Sequence, residues 1–96
     1  MRMLLTARLD TATANHAVND GTLTKTIEGV IEHLKPEAAY FTAIDGRRTC
    51  LLVFDMKDAA EMPSVAEPFF HAGAKVTLHP VMNADDLRAG LAGLAR

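Results

Sequence analysis

Polar and apolar positions alternate at the start of the chain. Met3, Leu5, Ala7 and Leu9 fall on one side of an extended backbone, and Arg2, Leu4, Thr6 and Arg8 on the other. A period of two predicts a strand over residues 2–9 with one mainly apolar face. From Thr11 the period lengthens. Thr11 or Thr13 serves as a helix cap, and Leu23, Ile27, Val30, Ile31 and Leu34 recur at the spacing of one buried helical stripe. Asn19-Asp20-Gly21-Thr22 leaves open whether residues 11–34 form one helix or two, since a continuous helix carries the glycine at a cost of about 1 kcal/mol. Pro36 ends the segment, because the residue before a proline avoids helical geometry.

Residues 38–44 alternate again, with Ala39, Phe41 and Ala43 opposed to Tyr40, Thr42 and Ile44. Asp45-Gly46 then predicts a tight hairpin, whose turn needs positive φ. The return strand over 48–55 is apolar on both sides at its centre, the mark of an inner strand. Asp58, with Glu61 three residues on, starts a further helix. Pro63 fits its first turn, whereas Pro68 predicts a kink or a helix in two pieces. Met62, Val65, Ala66 and Phe69 supply its apolar side, and Gly73 its end. Lys75–His79 makes a fourth strand, closed by Pro80 at an edge or strand end. Asn83 caps a last helix with Asp85 and Asp86 in its first turn, and Leu87, Leu91 and Leu94 form the stripe expected to be buried.

The order β-α-β-β-α-β-α predicts one α+β domain over residues 1–96. The expected fold is a ferredoxin-like β-α-β-β-α-β sandwich with a C-terminal helix, its helices covering one face of a four-stranded antiparallel sheet. The other face carries Leu4, Thr6 and Arg8, then Tyr40, Thr42 and Ile44, alternate residues of the third strand, and Thr77 with His79. That mixture of apolar, hydroxyl and aromatic groups is too apolar for a face left in water. The simplest cover is the same face of a second copy about a two-fold axis.

Three stretches carry a resemblance: Leu34-Lys35-Pro36-Glu37-Ala38-Ala39-Tyr40-Phe41, Asp45-Gly46-Arg47-Arg48, and the tail from Val76 through His79-Pro80-Val81-Met82-Asn83-Ala84-Asp85-Asp86 to Leu87. With the element order, they resemble the dimeric α/β-barrel superfamily, and within it a group of small, mostly uncharacterised actinobacterial proteins. The resemblance implies two ferredoxin-like subunits packed sheet against sheet as a homodimer. Its motifs are a helix stop, a hairpin, a strand exit and a cap, and they bring no catalytic signature.

Charge and composition narrow the function. The net charge of −2 and the single adjacent basic pair, Arg47-Arg48, exclude the basic stripe that nucleic-acid binding needs. Arg8 and Asp10 interrupt the first apolar run too early for a signal peptide, and no run approaches the roughly 20 apolar residues of a membrane span. Cys50 is the only cysteine and sits in an apolar run, which predicts a buried thiol in a reducing, cytoplasmic setting. His16, His33, His71 and His79 lack metal-ligand spacing, so no metal is expected, and no nucleotide motif calls for a cofactor. Copper-chaperone chemistry lacks its C-x-x-C, and RNA stacking lacks exposed aromatics on the third strand. Enzymes of the barrel superfamily often use a tryptophan, and this chain has none.

The candidate site is therefore the second sheet face. His79 is the candidate general base or hydrogen-bond donor. Tyr40, Arg8, Thr6 and Thr42 are the candidate ligand-binding groups, an arginine beside a tyrosine suiting an anionic or phenolic ligand. Arg8 has an alternative partner in an acid such as Asp55. Three functions follow as expectations: a dimer binding a small, partly apolar organic molecule, a cofactor-independent isomerase, cyclase or monooxygenase of the muconolactone-isomerase kind, and a structural interaction subunit without a ligand.

Overall fold

Four strands, β1 (Arg2–Arg8), β2 (Ala38–Ile44), β3 (Arg47–Asp55) and β4 (Lys75–Pro80), form one antiparallel sheet in the order β2-β3-β1-β4. The computed structural model describes residues 1–94. The helices are α1 (Thr11–Asp20), α2 (Thr22–Leu34), α3 (Met62–His71) and α4 (Ala84–Ala92), with a 3-10 turn at Ala59–Glu61 before α3. The fold is α+β, and β1 and β3 are the inner strands, as the apolar centre of residues 48–55 requires.

The alternation in β1 becomes burial. Met3, Leu5 and Ala7 are buried, and so are Cys50, Leu52 and Phe54, their partners across β3. Val30 of α2 and Val65 and Phe69 of α3 close over these six side chains. Fully burying a side chain of this kind is worth roughly 1.5–3 kcal/mol, so this layer supplies the main driving force for the fold.

Local chemistry sets the boundaries. Asp10, not Thr11 or Thr13, caps α1: its carboxylate accepts from the Thr13 backbone N–H at 3.0 Å and the Thr13 hydroxyl at 2.9 Å. Thr13 instead lies inside the helix as a donor. Residues 11–34 divide into two helices at Gly21, whose φ of 81° few side chains tolerate. Lys35 turns left-handed ahead of Pro36 and stops α2. The segment after Asp58 breaks before Met62 rather than at Pro68, which lies inside α3. Asp58 accepts from the Ala60 N–H and Glu61 from the Lys57 N–H, so the acids close the 3-10 turn and α3 starts afresh beyond it.

The last helix departs from expectation. Asn83 and Asp86 form a full capping box. Leu87, Leu91 and Leu94 are nonetheless exposed, at 45%, 56% and 73%. The stripe is at helical spacing, but among the described residues no strand or helix packs closely along it. The molecule measures 57 × 28 × 18 Å, with a radius of gyration of 15.4 Å, where a compact chain of this length has about 12.5 Å. Its 6476 Å² of accessible surface exceeds the roughly 5,400 Å² of a folded monomer of equal mass.

Candidate functional site

The sheet register sorts the open face into rows. Ala38, Val53, Leu4 and His79 form one row across β2, β3, β1 and β4, and Tyr40, Leu51, Thr6 and Thr77 form the next. Beyond them lies Thr42, Thr49, Arg8 and Lys75. Ile44 pairs with Arg47 at one end of the face, and Arg2 with Asp55 at the other. The two central rows hold no Asp, Glu, Lys or Arg. The charged side chains stand at the ends of the strands.

All five candidate side chains lie on this face, and none is buried. Tyr40 is 66% exposed. They do not converge within one chain. Neighbouring strands lie about 4.8 Å apart, so Tyr40 on β2 and His79 on β4 are separated by three such steps, about 14 Å, with one row of offset besides. Arg8 stands one row beyond Thr6 and pairs with Asp45 of the hairpin turn at 3.5 Å. It does not pair with Asp55, which instead binds the amino terminus: the Met1 ammonium lies 2.8 Å from the Asp55 carboxylate. Six strand positions separate Arg8 from Arg2, the β1 residue opposite Asp55, which puts that acid beyond reach.

The end of the face that begins β1 carries the densest electrostatics. The Arg2 guanidinium bonds Glu37 and lies 3.3 Å from Asp86. The Glu37 carboxylate raises the Arg2 pKa further, and the Met1 ammonium holds the Asp55 carboxyl below its ordinary range. These groups line a hollow of about 490 Å³ with Pro80, Val81 and Met82. All are solvated, and such ion pairs position chain ends more than they stabilise the fold.

A larger cavity lies on the helix side and was not anticipated from the sequence. A groove of about 700 Å³ separates α2 from α3, floored by Val30, Leu34, Val65 and Pro68 and rimmed by Lys25, His33 and His71. Two residues hint at it. Gly29 leaves one wall open, as a Cβ there would meet nothing within 4 Å, and Pro68 faces it from α3. His71 spends its Nε2 on Glu67 of its own helix, 3.2 Å away. None of the five candidate residues lines this groove.

Cys50 is buried, and burial pushes its thiol pKa up, away from nucleophilic chemistry. Among the described residues, no three His, Cys, Asp or Glu side chains stand together as a metal site, and no helix is long and apolar enough to cross a membrane. Set against known protein families, curated proteins and solved structures, the chain finds no match.

Proposed function

We propose that this chain works as a homodimer that holds a small, partly apolar organic molecule in the seam between two sheets. The open face carries the reading. Its centre is Leu4, Leu51, Val53, Thr6 and Tyr40, and its charged groups, Arg2, Asp55, Arg8, Lys75 and Arg47, frame that centre at both ends. An uncharged middle with a charged border is the anatomy of a protein–protein interface, and a closed two-fold dimer buries the same patch on both copies. The strand order β2-β3-β1-β4, with α2 and α3 packed on one face, supports a ferredoxin-like sandwich and with it the dimeric α/β-barrel arrangement.

The separation of Tyr40 from His79 gives the seam its role. A small molecule on one open face touches one edge of the sheet or the other. A second face laid over the first puts a wall opposite each edge and encloses the space between. His79, Tyr40, Arg8, Thr6 and Thr42 are then the polar groups available to a ligand. We place the protein in the cytoplasm on the strength of its single, buried thiol.

Light scattering at micromolar concentration tests the pairing. Twice the chain mass of 10.4 kDa is expected, and Leu51→Glu should give single chains with an unchanged circular dichroism spectrum. Native mass spectrometry of the purified dimer then looks for a retained small molecule. A chain that stays single at high micromolar concentration refutes the dimer and the seam together.

A further inference from the structure

We propose that α4 is an arm covered by a second copy of this chain, with Leu87 and Leu91 of the helix and Leu94 in the turn just past it packing on the partner rather than on its own core. The stripe is at i, i+4, i+7 spacing and exposed along its whole length, and Met82, just ahead of it, is 64% exposed. A nine-residue helix is marginal in water unless one side of it is packed. Here the helix is formed, capped at Asn83 and Asp86, and has no buried residue.

Its start is fixed. The Val81 N–H donates to the Arg2 carbonyl at 3.1 Å, which carries the β1–β4 ladder one residue past Pro80. Arg2 then reaches Asp86 in the first turn of α4. Arg2 alternates with Leu4 and Thr6 along β1 and so belongs to the open face. The arm therefore begins at the border of the face that the proposed seam buries, and its stripe extends that interface.

The surface area points to the same occupant. The chain exposes about 1,100 Å² more than a compact monomer of its mass, and each partner in a standard interface gives up about 800 Å². One copy thus carries roughly the excess that pairing with another removes, and under two-fold symmetry each copy both offers an arm and receives one. The proposal shares the two-fold pairing of the seam but not its sheet contact, and the two can be separated.

The chain has no tryptophan, so Leu91→Trp provides a single reporter on the stripe. Its emission should be blue-shifted at micromolar concentration and move to the red on dilution, in step with dissociation seen by sedimentation. Blue emission from the dissociated chain means the arm rests on its own core, and red emission from an intact dimer means nothing covers it. Either result overturns the proposal, the second while leaving the seam in place. Leu91→Glu should raise the dimer dissociation constant at least tenfold with the circular dichroism unchanged, and an unchanged constant refutes the arm. If Leu91→Glu weakens the dimer and Leu51→Glu does not, the arm stands and the sheet contact falls. A parent chain that never dimerises ends both.

Discussion

Tyr40 and His79 face the same way from the sheet but stand at its opposite edges, with β3 and β1 between them. Side chains this far apart, with no shared partner, contribute independently to stability. Tyr40→Ala and His79→Ala should therefore add within about 0.5 kcal/mol in the free energy of unfolding. Urea denaturation at concentrations where the chain is single measures this. A larger coupling there places the two side chains in contact within one folded chain.

The hairpin turn is a second point of test. Asp45 has a φ of 53° and Gly46 of 73°, the pair of positive angles that a two-residue turn between twisted strands demands. Aspartate tolerates this region and a β-branched residue does not. Asp45→Val should cost about 1–2 kcal/mol from backbone strain, with a smaller loss from the exposed Arg8 pair. Asp45→Asn should keep the turn and lose only the pair. Equal stability of the two variants, measured by thermal unfolding, refutes this account of the turn.

These turn angles were readable from the dipeptide alone, and so was most of the sheet. Met3, Leu5 and Ala7 alternate because a strand offers successive side chains to opposite faces, and Cys50, Leu52 and Phe54 answer them across the ladder. Local chemistry with two solutions was harder to read. Asp10 outcompetes the threonines that follow it as a cap, since a carboxylate one residue earlier satisfies both the Thr13 N–H and hydroxyl. Leu87, Leu91 and Leu94 have the spacing of a buried stripe, but spacing states only that a helix has an apolar side, not which body lies against it. The same limit applies to the candidate site. Parity placed Thr6, Arg8, Tyr40, Thr42 and His79 on one face, while their distances depend on strand order, which pairing over long sequence separations decides. The α2–α3 groove depends on how two helices sit on the sheet, and Gly29 with Pro68 was its only trace in the sequence.

Acid should destabilise the fold over a defined range. Hydrogen bonds from Thr13 hold the Asp10 carboxyl below its ordinary range, those from Thr22 do the same for Asp20, and the Met1 ammonium does so for Asp55. In each case the unfolded chain takes up a proton at higher pH than the folded one. The stability these groups contribute is present above the unfolded carboxyl pKa of about 3.9 and is lost as pH falls through the folded values. Urea midpoints at one protein concentration should be level near neutrality and fall below about pH 4. Asp55→Asn should make that fall shallower. An identical slope in parent and variant removes Asp55 from the account.

Cys50 offers the opposite sign. Burial at the centre of β3 raises its thiol pKa, so the folded chain keeps its proton at pH values where the unfolded chain has lost it. The stability this provides is complete below the unfolded thiol pKa of about 8.5 and declines as pH rises toward the folded value. The same burial sets reactivity, because the thiolate is the attacking form and the folded chain presents neither charge nor access. At pH 8 an aromatic disulfide reagent should leave the folded protein unmodified for hours and titrate one thiol per chain at once in urea. A Cys50→Ala variant should lose part of the alkaline decline in urea midpoint between pH 8 and 10. Rapid modification of the folded protein, with no change in its circular dichroism, would mean that Cys50 is open to solvent and that α2 and α3 do not close over it.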